Sequence, residues 1–203
     1  MSNKIGNKIK NKKKPNDVIY TPKAVAELMI SMCNIEPHEK VLDPSRGKGV
    51  FFNNLPECNK DWCEITDGVD FFTYNKPVDV IVGNPPYSLW TKWLKKTLEL
   101  NPNRFCYIFG AMNTTPKRIQ SILDKGYIVK KMRVLLVDWW FGTQFILYFV
   151  KGDISENILE VTKEQYGCDI CNKHCYRGRY GNNPNECCYV EGKTKRSQRK
   201  DGK

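Results

Sequence analysis

Apolar positions along this chain recur with two different periods. Val25, Leu28, Met29 and Met32 fall at i, i+3, i+4 and i+7, the spacing of one helical face. Thr21-Pro22 just ahead predicts the helix start, with Thr as N-cap and Pro at the first helical position. Val41-Leu42 then reads as a short strand entering a glycine loop, Asp43-Pro44-Ser45-Arg46-Gly47-Lys48-Gly49, and Val50-Phe51-Phe52 as the start of another helix. Trp62-Cys63-Glu64-Ile65 and Val69-Asp70-Phe71-Phe72 are short strand candidates. Val78 to Val82 is an unbroken run of buried-strand type that ends at Gly83-Asn84-Pro85-Pro86-Tyr87. A helix carrying Trp90, Trp93, Leu94 and Leu98 stops before Pro102, and Phe105 to Phe109 is a strand. Thr115-Pro116 opens a helix that Gly126 closes, and Tyr127 to Val137 and Phe145 to Val150 are two further β-rich runs. Strands alternating with helices, then two strands together, predict an α/β fold: a mostly parallel sheet with a terminal antiparallel hairpin.

Composition adds a boundary to that picture. The chain has 203 residues, 40% of them apolar and 27% charged, enough to bury a core. No apolar run reaches the roughly 18 residues of a membrane-spanning helix, so no membrane partner is expected. The lysine-rich start is not followed by an apolar segment, so a secretory leader is not expected and an intracellular setting is. The net charge of +11 is carried by the two ends alone: residues 1–14 contribute +6 and residues 192–203 contribute +5. These tails lack the apolar residues needed for a core and are expected to be disordered. They suit salt-dependent contact with phosphate backbones; a solubilising or localising role is the alternative.

In a doubly wound sheet, ligands bind where loops leave the carboxyl ends of the strands. The loop from Asp43 to Gly49 is no Walker phosphate loop, since no glycine precedes at that spacing and Gly49 follows Lys48, and no dinucleotide fingerprint, since the third-glycine position is Phe52. Glu64, 21 positions after Asp43, is placed to take ribose hydroxyls, and Asp70 with Phe71 offers an acceptor and an aromatic face for an adenine ring. Together they point to a nucleoside-bearing cofactor without a diphosphate. Asn84-Pro85-Pro86-Tyr87 is more specific. Neither proline can donate a hydrogen bond and each restricts the residue before it. A rigid turn therefore presents the Asn84 amide and the Pro85 carbonyl, two acceptors for the hydrogens of a planar amino group, while Tyr87 can stack on a flat ring.

With these residues in view, the chain resembles the S-adenosylmethionine-dependent adenine-N6 DNA methyltransferases, over roughly residues 18–150. Asp43 to Gly49 is similar to the family's motif I, Asn84 to Tyr87 to its motif IV, and Tyr20-Thr21-Pro22 to its N-terminal motif, in the gamma order. The resemblance implies a Rossmann-like methyltransferase sheet over residues 17–152. It implies S-adenosylmethionine held by Tyr20, Thr21, Pro22, Asp43, Pro44, Gly47, Gly49, Glu64, Asp70 and Phe71. It implies catalysis at Asn84, Pro85, Pro86 and Tyr87, with the base flipped out of its helix and stacked on Tyr87. A second aromatic wall is expected from Trp139-Trp140-Phe141, Phe141 being the favoured member. DNA is the favoured substrate and nucleic acid the expected partner. Adenine-N6 methylation of RNA, glutamine methylation of a protein, and an inert zinc-containing nucleic-acid-binding module are the alternatives.

Residues 153–191 have few aliphatics and six clustered ligand candidates: Cys168, Cys171, His174, Cys175, Cys187 and Cys188. A structural zinc on Cys168, Cys171, Cys175 and Cys187 would staple such a segment, with His174 or Cys188 as substitutes; disulfides are the other possibility. Cys33, Cys58, Cys63 and Cys106 lack clustered partners and read as buried thiols.

Overall fold

The computed structural model describes residues 19–138, Trp140 and 142–161. Within them six strands form one sheet in the order β2-β1-β3-β4-β6-β5. β1 (Lys40–Asp43) lies between β2 (Asn59–Trp62) and β3 (Val80–Gly83), β4 (Arg104–Gly110) follows on β3, and these four are parallel. β6 (Gln144–Lys151) inserts antiparallel beside β4, and β5 (Tyr127–Leu135) closes the edge antiparallel to β6. The terminal hairpin thus joins a parallel sheet as expected, with its later strand inside. Because β6 is reversed, its first residue, Gln144, lies beside Gly110 at the carboxyl end of β4.

Both faces of the sheet are covered, which is why β1, β3 and β4 read as continuous apolar runs rather than alternating ones. In β4, Phe105, Tyr107 and Phe109 point to one side and meet Trp90, Trp93 and Leu94 of α2 (Trp90–Leu100) and Ile119 and Ile122 of α3 (Pro116–Leu123). Aromatic stacking orders this side: Trp90 lies on Phe109 with centroids 4.3 Å apart, and Phe105 on Phe149 at 4.7 Å. Cys106 and Ile108 point to the other side, against Ala26, Met29, Ile30 and Cys33 of α1 (Lys23–Cys33). The buried stripe of α1 is rotated by about one residue from the pattern read in the sequence, leaving Val25 and Leu28 half-buried at its margins.

Arg104 fastens the end of α1 to the sheet. Its guanidinium donates to both oxygens of Glu39 at 2.6 Å, and to the carbonyls of Cys33 and Asn34 at 2.8 and 2.9 Å. This answers two orphan carbonyls at a helix end and neutralises a buried carboxylate with one side chain.

Local chemistry overrules the expected pattern in four places. Thr21 is not an N-cap; Pro22 occupies that position, and its carbonyl accepts from Val25 and Ala26. The helix expected from Val50 is a single turn, Phe52–Asn54, followed by Leu55 and Pro56, which end it. No strand forms at Val69–Phe72: the Asp70 carboxylate accepts from Phe72 N at 2.9 Å and winds Phe71–Thr73 into a turn, so β2 stays at the sheet edge. Likewise β2 ends at Trp62, and Glu64 keeps one isolated bridge to Val69.

Candidate active site

Asp43, Glu64, Asn84 and Gly110 all stand just at or beyond the carboxyl ends of parallel strands, so four loops converge on one edge of the sheet. The first loop is held from beneath. Asp43 is fully buried and accepts from Ser45 N at 3.3 Å and Phe52 N at 3.2 Å, drawing both ends of the loop onto one carboxyl. Burial pushes that carboxyl up to about 7 against those two hydrogen bonds. Asp43 therefore shapes the loop from inside rather than facing a ligand. Gly47 and Gly49 both have positive φ, and a Cβ on Gly49 would come within 2.9 Å of Asn53 Nδ2.

Glu64 is the open carboxylate of the site. One oxygen accepts from Gly47 N at 2.8 Å; the other accepts from Thr66 N at 3.1 Å and Thr66 Oγ1 at 2.8 Å. Burial works against its charge, but the Thr66 and Gly47 hydrogen bonds outweigh that and hold it below the usual carboxylate range. Oε1 already accepts two bonds and Oε2 one, so the group can receive one hydroxyl on Oε2 without dismantling the loop. Asp70 stands at the next turn. The ring of Phe71, expected to face an adenine, is instead buried against Trp93 at 4.5 Å, which leaves its main-chain N–H as what it can offer. Aromatic faces beside the first loop come from Trp62, Phe52 and Tyr20. Arg46 lies 4.6 Å over the Trp62 ring and 5.5 Å from that of Phe52, and Lys48 lies 4.4 Å over Tyr20. Only Tyr20 among these three rings figured among the expected site residues.

The second loop is built around Asn84. Gly83 is pressed so close to the first loop that a Cβ would stand 3.0 Å from Pro44 Cδ, and Ser45 Oγ donates to the Asn84 carbonyl at 3.2 Å. The Asn84 amide nitrogen donates to Thr21 Oγ1 at 3.2 Å and to the Ile19 carbonyl at 3.5 Å. A carbonyl can only accept, so these contacts fix which end of the amide is nitrogen. The other end, Oδ1, is buried and has no hydrogen-bond partner. Unpaired buried acceptors are costly and uncommon in folded proteins, and here the atom sits where the sequence expects the hydrogens of an amino group to be received. Thr21, expected as a cofactor residue, is thus also the residue that turns this amide.

Tyr87 begins a short turn leading into α2, with its ring half-buried at the margin of the aromatic core. Its hydroxyl donates to Gln144 Oε1 at 2.8 Å. Gln144 was not singled out in the sequence, where a lone amide before an apolar strand carries no signal. Of the aromatic trio, Trp140 is buried in the core on the α1 side, while Trp139 and Phe141 lie outside the described residues. So do the expected zinc ligands Cys168, Cys171, Cys175 and Cys187. Among the described residues no cluster of His, Cys, Asp or Glu suited to a metal occurs, and no helix is long and apolar enough to cross a membrane. Cys33, Cys63 and Cys106 are buried free thiols, as expected, and Cys58 is half-buried. Burial pushes the Cys63 thiol up to about 12, so it is no nucleophile.

A Rossmann-like methyltransferase fold is what this sheet order and loop arrangement define, and solved structures bear it out. The chain is similar to a 23S rRNA methyltransferase, ErmE (TM-score 0.52, 14% identity, covering 70% of this chain and 72% of that one). It is similar to the M protein of the type I restriction enzyme EcoKI (TM-score 0.52, 12%, covering 74% and 47%). It is also similar to magnesium protoporphyrin IX methyltransferase of Synechocystis PCC 6803, solved with bound S-adenosylmethionine (TM-score 0.52, 13%, covering 64% and 77%). In sequence it is 32% identical over 99 residues to the type II methyltransferases M.HincII and M.HindII of Haemophilus influenzae, a match spanning 40% of this chain. The match spans about a fifth of those relatives, 20% and 19% of their lengths. No family model matches the chain.

Proposed function

We propose that this chain is an S-adenosylmethionine-dependent methyltransferase acting on the N6 amino group of adenine in DNA. The observation that carries the reading is the Asn84 amide, with its nitrogen pinned by Thr21 and Ile19 and its buried oxygen unpaired. S-adenosylmethionine, when bound, supplies an electrophilic methyl group on a sulfonium. The site fits that cofactor, since Glu64 offers an ionised carboxylate for a ribose hydroxyl and two positive-φ glycines shape the first loop beside it. Asp70 and the Phe71 N–H suit an adenine edge, and Tyr20-Thr21-Pro22 the amino-acid end.

The lone pair of an aromatic amino group is delocalised into its ring and is a poor nucleophile. Asn84 Oδ1 and the Pro85 carbonyl accept its two hydrogens and favour a more tetrahedral nitrogen. Pro85 and Pro86 stiffen the turn, and Tyr87 stacks on the base. This is catalysis by positioning and electrostatics, with no covalent intermediate on the protein. A base must leave its helix to reach such a pocket. The matched type II methyltransferases and the cationic ends of the chain support a DNA substrate. RNA is the second reading, favoured by the likeness to an rRNA methyltransferase. The cysteines at 168, 171, 175 and 187 are proposed, on sequence spacing alone, to hold a structural zinc.

The test is transfer of labelled methyl groups to duplex DNA, single-stranded DNA and structured RNA, with products identified as nucleosides. N6-methyladenine from DNA is expected. Asn84→Ala should lower kcat by about 10²–10³-fold, the usual loss for one group that stabilises developing charge, with cofactor affinity unchanged. Methyladenine from RNA alone would move the substrate, and full activity in Asn84→Ala would end the assignment.

A further inference from the structure

We infer that Gln144 is a positioning residue for the base-stacking wall, acting through the hydroxyl of Tyr87; this rests on the reading of Tyr87 as that wall. A tyrosine ring joined to the chain only at Cβ swings about its Cα–Cβ bond. Fixing the far end of the ring stops that swing, and phenol hydroxyls prefer acceptors lying in the ring plane. The Gln144 amide provides an acceptor at 2.8 Å. It is itself immobilised: the side chain is 1% exposed, and Nε2 donates to the Gly142 carbonyl at 3.3 Å. Gly110, opposite Gln144 in the β4–β6 pairing, makes the space, because a Cβ there would come within 3.3 Å of Gln144 Oε1 and 3.8 Å of Tyr87 Cε2.

The arrangement joins three separate pieces of chain: the loop after β3, the end of β4 and the start of the reversed strand β6. It also gives a use to a polar side chain buried at the head of the apolar run Phe145-Ile146-Leu147. Replacing Gln144 alone removes a partner of both the Tyr87 hydroxyl and the Gly142 carbonyl, which costs some stability. The positioning role is therefore read in the reaction, with every variant assayed where it is folded.

The experiment is a double-mutant cycle in the full chain, with kcat and KM measured on a duplex containing the target adenine. Gln144→Leu and Tyr87→Phe should each lower kcat by about tenfold, the scale expected for a slightly misplaced group, with cofactor affinity unchanged. The double variant should be no worse than either single one, because both remove the same contact. Gln144→Glu, which keeps an acceptor, should recover part of the loss. A second arm needs no methylation: 3-fluorotyrosine placed at position 87 is read by fluorine NMR. Gln144→Leu should move its signal toward that of free fluorotyrosine. Independent, multiplying losses in the cycle, or an unchanged fluorine signal, would overturn the assignment. Absence of methyl transfer by the unaltered protein would instead overturn the proposed function, leaving the fluorine arm to decide the role of Gln144.

Discussion

Asn84 shows how one residue type acquires a function from its neighbours. An asparagine between a strand and two prolines can turn its amide either way; Thr21 and Ile19, more than sixty positions earlier, choose for it. Asp43 shows the reverse, a residue whose carboxyl serves its own loop. Its motif suggested a cofactor contact, but the carboxyl is buried beneath the loop, with a pKa raised to about 7. That shift has a consequence for stability. Between the ordinary carboxyl value near 4 and about 7, the folded protein holds a proton that the unfolded chain has released. The contribution of Asp43 is therefore complete below that range and is lost as pH rises through about 7, by at most about 1.4 kcal/mol per pH unit for one proton. Glu39 and Glu64 are shifted down, so their opposing effect lies at lower pH, below the ordinary carboxyl range. Urea unfolding from pH 5 to 8 should show stability falling and then levelling above about 7. The fall should be absent in Asp43→Asn, and a flat profile in the unaltered protein would mean that the carboxyl is already ionised.

Among the elements, the long apolar ones were readable and the short polar ones were not. Helices α2 and α3 and strands β3, β4 and β6 stand where their periodicity put them, because burial on both faces leaves a strong pattern. The turn at Phe71–Thr73 reads as a strand in the sequence because its decisive contact is a single side-chain hydrogen bond, invisible to periodicity. The junction of α1 with β4 was equally hidden, since Glu39 and Arg104 lie 65 positions apart. That junction yields a prediction. Arg104→Ala leaves the buried Glu39 carboxylate without its partner and two carbonyls at the end of α1 unanswered. It should cost about 3 kcal/mol or more, measured by denaturant unfolding. Pairing it with Glu39→Leu should restore part of that loss, because the unpaired charge is then removed; no recovery would show that the helix-end contacts dominate.

At the scale of the whole molecule, chemistry and charge are segregated. Residues 19–161 carry the sheet and the candidate site, while the excess positive charge and the cysteine cluster lie outside the described residues. If the cluster holds zinc, elemental analysis should find one ion per chain. Because no metal cluster is built into the described residues, a chelator should remove the zinc while leaving the main unfolding transition in place. No zinc in freshly prepared, reduced protein would return the cysteines to the disulfide alternative.

The long strands and helices, the glycine loop, the Asn-Pro-Pro-Tyr turn and the charged ends were determined by local sequence. They depend on periodicity, on the backbone limits of glycine and proline, or on composition, which act within a few residues. What only the tertiary structure decided are the contacts that give those motifs their direction: Thr21 on Asn84, Gln144 on Tyr87, Arg104 on Glu39, and the burial of Asp43 and Phe71. Each joins segments distant in the chain or depends on which face of the sheet is covered, and a hydrogen bond between remote residues leaves no period in the sequence.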